Sequence, residues 1–288
     1  MRTRKIPAEM LRSLTDAPWI DKTKRPYREK DTVFVPVREG FFSDSILPQR
    51  HPYRGRGFSM IGSIAVLQGR EPTEQEVREL EEWKKPTAIL WIRSHRGQER
   101  IPDAKILSGE ASEVCHREMG MAFWLNPALV MFSKGNREEK VRMMQIIRKE
   151  ERVADMFAGI GYFTIPAARS GARVHAMELN PVAFQYLCRN IRENGVETLV
   201  TPECGDCRDL LSGWYNRIIM GHFDSPALLD TAISHTLPGG IIHLHLTGTS
   251  PPVIPDRYQQ QLHEQSCRRI KKVAPHTWHY VLDLMVAG

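Results

Sequence analysis

No apolar run in this chain reaches the roughly 18–20 residues that a membrane-spanning helix needs. Residues 1–30 are polar and basic and lack the apolar core of a secretory leader. Cysteine is scarce and odd in number, five in 288 residues, which argues against a disulfide framework and for a reducing compartment. A cytoplasmic protein with no membrane contact is therefore expected. An acidic surplus is also missing: the net charge is +6, in a composition that is 41% hydrophobic and 26% charged, as in ordinary globular proteins. The length allows two domains without requiring them.

The charge is unevenly placed. Residues 1–150 hold 28 Lys and Arg against 21 Asp and Glu, whereas residues 151–288 hold 12 against 13. A basic first half joined to a near-neutral second half suits a polyanion gripped by one part and modified by the other, although a solvated basic surface carries the same count. Within residues 1–57, Arg50, Tyr53, Arg54 and Arg56 interleave cations with an aromatic ring, a pattern suited to phosphate contacts and base stacking.

Around Val153-Ala154-Asp155-Met156-Phe157-Ala158-Gly159-Ile160-Gly161-Tyr162-Phe163-Thr164 the sequence reads as a buried strand, a glycine turn and a helix start. That is how a doubly wound α/β domain opens its nucleotide site. Alone, Gly-x-Gly is equally a bland strand-to-helix turn. Two further signals decide between the readings. Glu178 ends a second strand 23 residues after Asp155, where a ribose would sit, and Asp206 follows a third strand, over Glu197–Pro202, within reach of a base. No third glycine completes a pyrophosphate fingerprint, so Gly159, Gly161, Glu178 and Asp206 point to S-adenosylmethionine rather than a pyridine nucleotide. A Rossmann-like α/β domain with a smaller α+β domain before it is the expected fold.

Upstream, Thr32–Val37 reads as a strand that Pro36 demotes to an edge. Phe58–Leu67 reads as one strand containing a glycine, followed by a helix capped by Thr73 and Glu76 and by two strands around Gly97. A turn then enters a helix running to about Lys149, on which Arg142 reads as part of a solvated face. Downstream, Asn180 caps a helix with Pro181 at its first position. Arg217–Phe223 is a fourth strand with its loop, 227–236 a helix, Ile241–Leu246 a strand, 257–272 a charged helix and His279–Val286 a terminal strand. Three segments result: a basic extension over 1–57, an α+β unit over 58–118 with a positioning role, and the Rossmann-like domain over 119–288.

Met131-Phe132-Ser133-Lys134-Gly135-Asn136 with Glu139-Lys140, followed by Asp155 to Thr164, resembles the aminocarboxypropyltransferases of wybutosine synthesis in tRNA(Phe). These are relatives of the tRNA guanine N1-methyltransferase acting at the same nucleotide, 3′ to the anticodon. The resemblance covers about Phe58 to the end. Lys134-Gly135 stands where the methyltransferase carries Pro-Arg, and Met220-Gly221-His222-Phe223-Asp224-Ser225 replaces its Asn-Leu/Pro-Pro motif. Gly239 to His245 also matches the wybutosine enzymes. The resemblance implies that Ser133, Lys140, Glu178, Asp206 and Cys207, with Asp155, Gly159 and Gly161, form the donor pocket. On that reading Lys140 pairs with the methionine carboxylate, Glu178 accepts both ribose hydroxyls, and Asp206 with the Cys207 amide holds the adenine.

The implied reaction is attack by a ring carbon of 4-demethylwyosine on Cγ of the sulfonium, releasing methylthioadenosine, with the anticodon arm of tRNA(Phe) as partner and no protein partner implied. Orientation selects among the three electrophilic carbons. His222 and Asp224 are the candidate bases for the ring proton. The rivals are guanine N1-methylation of the same tRNA and a non-catalytic RNA-binding protein with a vestigial cofactor fold. No metal site is expected: Cys204-Gly205-Asp206-Cys207 has no second ligand pair, and His243 with His245 reads as a hydrogen-bonded pair at a sheet edge. Trp83, Trp91, Trp124 and Trp278 are expected in the core.

Overall fold

The computed structural model describes residues 1–14, 17–47, 53–133 and 136–288, and the chain divides into two units, Met1–Arg54 and Gly55–Gly288. The first unit is a four-stranded sheet rather than a bare extension. Its strands β1 (Arg2–Pro7), β2 (Tyr27–Glu29), β3 (Thr32–Pro36) and β4 (Ser45–Ile46) lie in the order β2-β3-β1-β4. Ile6, Val33 and Val35 form a small core on which Trp19 and Ile20 pack. Contrary to expectation, β3 is an inner strand. Pro36 is its last residue, where the missing amide hydrogen costs the ladder least.

The second unit begins with β5 (Ser59–Ile61) and β6 (Ile64–Gln68). These are two strands, not one, because Gly62 turns the chain at φ 54°. Helix α1 (Glu74–Lys84) carries the expected capping box, and β7 (Ala88–Arg96) returns parallel to β6 before pairing with β8 (Ile101–Gly109). A hairpin of β9 (Val114–Glu118) and β10 (Met121–Leu125) leads to α2 (Arg137–Ile146). No break in the core falls near residue 118. Ile64 and Leu90 of the small sheet share one buried cluster with Phe123, Met143, Val153 and Ile160. Trp83 is 42% exposed instead of buried, because it lies on the outer face of α1 beside Phe58.

The central sheet is laid down by β11 (Arg152–Asp155), α3 (Thr164–Arg169), β12 (Arg173–Glu178), α4 (Pro181–Glu193), β13 (Val200–Cys204), α5 (Cys207–Leu210), β14 (Tyr215–Met220), α6 (Leu229–Ser234), β15 (Thr236–Gly248), β16 (Leu262–Ala274) and β17 (Thr277–Val286). The strand order is β13-β12-β11-β14-β15-β17-β16. The first five strands are parallel, β17 runs antiparallel to β15, and β16 pairs antiparallel with β17. The carboxyl ends of the parallel strands thus share one edge with the β16–β17 turn, and loops at that edge build the site. Glu197–Leu199 is a 3-10 turn preceding β13, and the helix expected over 227–236 is a 3-10 turn followed by α6.

The charged helix expected over 257–272 is instead the edge strand β16. Its lysines and arginines give the open edge the polar character that discourages pairing with other chains. One cation reaches inward: Arg268 bonds Glu139 at 3.1 Å and Asp283 at 3.0 Å. Arg142 joins the same buried network, bonding Glu139 at 3.0 Å and Asp283 at 2.8 Å, so it is not a solvated residue. Nor do His243 and His245 pair with each other at a sheet edge. They lie inside the sheet and bond across to β17, His243 to Asp283 at 2.5 Å and His245 to His279 at 3.0 Å. Among the described residues no helix is long and apolar enough to cross a membrane.

Candidate active site

A cavity of about 660 Å³ opens at the carboxyl edge of the central sheet, within the usual size of a small-molecule site. One end is built by the loops after β11, β12 and β13, as the sequence implies. The Glu178 carboxylate accepts from the Gly159 amide at 2.7 Å and from the Asn180 amide at 2.8 Å, which fixes its orientation towards the cavity. Burial pushes its carboxyl up to about 7, partly offset by the two amides. Asp206 caps α5 by accepting from the Arg208 amide at 2.9 Å, and the Arg208 guanidinium holds its carboxyl below the usual range. Cys207 lines the same end. Burial pushes its thiol up to about 11, so it stays neutral and serves as wall rather than nucleophile.

The glycines and Asp155 divide the labour differently from expectation. Gly159 lines the cavity at φ 57°, and a Cβ there would stand 2.9 Å from the Tyr162 ring. Gly161 does not line it; at φ 103° it makes room for Ile165, 2.8 Å from where its Cβ would be. Asp155 is buried behind the turn and accepts from the Thr164 hydroxyl at 2.7 Å, fastening strand to helix. Burial raises its carboxyl to about 6. Both residues shape the loop without facing the cavity.

At the other end, Ser133 lines the cavity with Phe132 and Asn136. Lys140, expected at the methionine carboxylate, is not among the residues that line it. Its ammonium is fully buried in an ion pair with Glu118 and boxed in by the rings of Phe123, Phe132 and Tyr162, whose centroids lie 5.2–5.5 Å away. Burial lowers its pKa, and Glu118 opposes that shift.

His222 and Asp224 both line the cavity. The His222 ring stacks on Phe157 at 5.4 Å, and its Nδ1 accepts from the Asp224 amide at 3.1 Å. That bond assigns the neutral tautomer with its hydrogen on Nε2, and burial favours the neutral form. The lone pair a base would use is therefore committed. The Asp224 carboxylate is exposed at the lip, 3.7 Å from the ring.

Two stretches that the sequence did not single out complete the walls. His95, Gln98, Glu99 and Arg100 reach over the cavity from the β7–β8 hairpin, whose tip is tied down by the Asn180 side-chain amide donating to the Glu99 carbonyl at 3.2 Å. Lys271, Lys272 and Val273 enter from the end of β16. The turn at Gly97 was legible, but charged turn residues look solvated until the fold shows what lies beneath them. Of the residues expected to meet RNA, Arg50 lies outside the described residues. Tyr53 and Arg54 end the first unit, and Arg56 is the second residue of the next, with its guanidinium donating to the carbonyl of Gln68, a residue of the cavity wall.

A glycine loop and two ordered carboxylates on the loops after successive strands of a seven-stranded sheet are the arrangement of an S-adenosylmethionine-dependent transferase with a Rossmann-like fold. The family model described as the TRM5/TYW2 methyltransferase domain matches residues 114–278. The chain is 37% identical, over 80% of its own length and 97% of the relative's, to the tRNA(Phe) (4-demethylwyosine(37)-C(7)) aminocarboxypropyltransferase of Methanocaldococcus jannaschii. It therefore belongs to the TRM5/TYW2 family. Among solved structures, TYW2 of Pyrococcus horikoshii in complex with MeSAdo matches with a TM-score of 0.67 and 29% identity, over 81% of this chain and 91% of that one. Trm5b of Pyrococcus abyssi matches with a TM-score of 0.72 and 28% identity, over 99% of both chains.

Proposed function

We infer that the protein transfers the 3-amino-3-carboxypropyl group of S-adenosylmethionine to C7 of 4-demethylwyosine in tRNA(Phe) and releases methylthioadenosine. The observation that carries this reading is the 37% identity spanning 97% of an enzyme named for that reaction. Two local features support it: the Phe132–Lys140 segment, and the Gly221-His222-Phe223-Asp224 loop, which offers no amide–proline pair to grip a guanine edge. The match to a TYW2 structure holding MeSAdo is consistent with a donor cleaved at its Cγ–S bond.

In this reaction the C7 electron pair forms the new bond to Cγ while the C–S pair leaves with the sulfur, converting the sulfonium to a neutral thioether. The ring then loses the C7 proton. The chain's own contribution is orientation and exclusion of water: Glu178 and Asp206 hold the nucleoside, Phe157, Phe163 and His222 form the wall, and Asp224 takes the proton at the open lip. The acceptor lies in the anticodon arm, which the basic first half of the chain holds by phosphate contacts.

The rival reading is methyl transfer to guanine of the same tRNA, but the Trm5b structure is 28% identical, against 37% for the aminocarboxypropyltransferase. Incubating the protein with S-adenosylmethionine and tRNA(Phe) bearing the tricyclic base, then identifying the released nucleoside, separates the two. Methylthioadenosine is expected; S-adenosylhomocysteine would overturn the reading.

A further inference from the structure

Two histidines one layer behind the cavity carry unanswered nitrogens. His245 of β15 and His279 of β17 are both fully buried, and a bond of 3.0 Å joins His245 Nδ1 to His279 Nε2. They stand diagonally across the β15–β17 ladder, where His245 faces Val281 and His279 faces Thr247, so both project from one face of the sheet. Burial keeps both rings neutral and pushes His279 down to about 4. A neutral imidazole has one N–H and one bare nitrogen. Whichever ring donates the shared hydrogen, the outer nitrogens are one donor and one acceptor. Both of them, Nε2 of His245 and Nδ1 of His279, are buried without a partner among the described residues.

His243, two residues earlier on the same strand, shows the contrast. Its Nδ1 bonds Asp283 at 2.5 Å and its Nε2 accepts from Arg217 at 2.7 Å, within the network that ties α2 to the sheet. The neighbouring pair has no such network, and two apolar side chains of similar volume would fill its place without stranding a polar atom. What the pair touches accounts for it. The His245 ring meets Phe163 edge-on at 5.2 Å, and the His279 ring meets Phe223 edge-on at 4.9 Å. Both phenylalanines line the cavity, Phe163 from the glycine loop after β11 and Phe223 from the loop after β14. Phe163 also packs on Gly221, where a Cβ would stand 3.4 Å from its ring. The Ser225 hydroxyl, 3.2 Å from the His245 carbonyl, fastens the far end of that second loop. One hydrogen-bonded pair thus backs two walls that come from separate segments.

We propose that His245 and His279 are positioning residues: joined ring to ring, they hold Phe163 and Phe223 as a rigid wall against which the donor's sulfonium is oriented. Neither histidine lines the cavity itself. Rigidity matters there because a misplacement of about 1 Å at the reacting carbon lowers the rate about a hundredfold. A hydrogen bond fixes the angle between two rings, which apolar contact does not, and that is the reason to keep nitrogens in an apolar layer. The proposal rests on the donor and reaction assigned under the proposed function.

The test is the double variant His245→Leu/His279→Leu of the full chain, assayed with S-adenosylmethionine and tRNA(Phe) bearing the tricyclic base. Its melting temperature is expected within about 3 °C of the unaltered protein's or above it, because both partners of the bond are removed together. Methylthioadenosine affinity by calorimetry stays within about twofold, while kcat falls about tenfold or more and both KM values move less than about threefold. His279→Gln, whose amide replaces Nε2 in the bond to His245, keeps more of kcat than His279→Leu. A melting temperature or methylthioadenosine affinity that falls together with kcat would overturn the proposal by showing a structural role. An unchanged kcat would overturn it by showing that the wall needs no backing, and equal losses in His279→Gln and His279→Leu by tracing the effect to bulk instead of the bond. The nucleoside released by the unaltered protein tests the reaction separately, since the kcat ratio is read on whichever nucleoside appears.

Discussion

The two ends of the cavity are built from different materials. The nucleoside end is made of backbone: two amides converge on Glu178, a third holds Asp206, and both carboxylates are oriented before any ligand arrives. The opposite end is made of side chains contributed by distant segments, among them Asn136 at the start of α2, His222 after β14 and Lys271 from β16. The first kind of site follows from a local turn and so travels with a fold, whereas the second depends on which residues a particular sequence brings together. Within one family that is where a choice between reactions can be made without altering the scaffold.

The comparison can be broken in four places, taken from the largest expected effect to the smallest. Lys140 is fastened into the scaffold by its ion pair with Glu118. Lys140→Met, which strands the buried Glu118 carboxylate, is expected to cost about 3–5 kcal/mol in denaturant unfolding while leaving methylthioadenosine affinity of the folded protein unchanged. Weaker nucleoside binding at undiminished stability would move Lys140 back into the site. Glu178→Ala removes the ribose carboxylate and is expected to weaken S-adenosylmethionine and methylthioadenosine alike, by about 2–3 kcal/mol. A calorimetric loss confined to one of them would mean that the ends are not separable.

The third place is pH. Glu178 ionises at about 7 in the folded protein, against 4.5 for the free side chain, so it still holds its proton between those values while the unfolded chain has released it. Folding stability from this group is therefore greatest below the unfolded value and declines as pH rises towards 7. Donor binding runs the other way, because the ribose hydroxyls are best accepted by the carboxylate. Affinity for methylthioadenosine should rise several-fold between pH 6 and pH 8, and Glu178→Gln should flatten the profile. The smallest effect concerns the roof. Asn180→Ser keeps the helix cap but loses the reach to the Glu99 carbonyl, and is expected to raise the tRNA KM a few-fold, about 1 kcal/mol, in steady-state assays.

How far the sequence could be read follows the same division. Gly159, Glu178 and Asp206 were legible because each ends a strand of a repeating unit, and that local grammar places them on neighbouring loops. Gly161 and Asp155 were legible as members of the loop but not as residues that face away from the ligand, since that depends on packing against Ile165 and Thr164. Lys140 was legible from its motif position, but its pairing with Glu118, 22 residues earlier, was not. The run from Arg257 to Lys272 looked helical for its charge, yet it pairs with β17 as an edge strand. That error hid Lys271, which lines the cavity because the end of β16 returns to the carboxyl edge of the sheet. Pairing partners far along the chain decide such cases, and no local pattern records them.

The central claim is that the arm, not the methyl, leaves the donor, and it is tested most directly by following both groups at once. Tricyclic tRNA(Phe) is incubated with S-adenosylmethionine labelled differently in its carboxylate and in its methyl group, and the label retained in the tRNA is counted. The carboxylate label is expected in the tRNA, with the methyl label remaining in the released nucleoside. Methyl label in the tRNA without the carboxylate label would contradict the account.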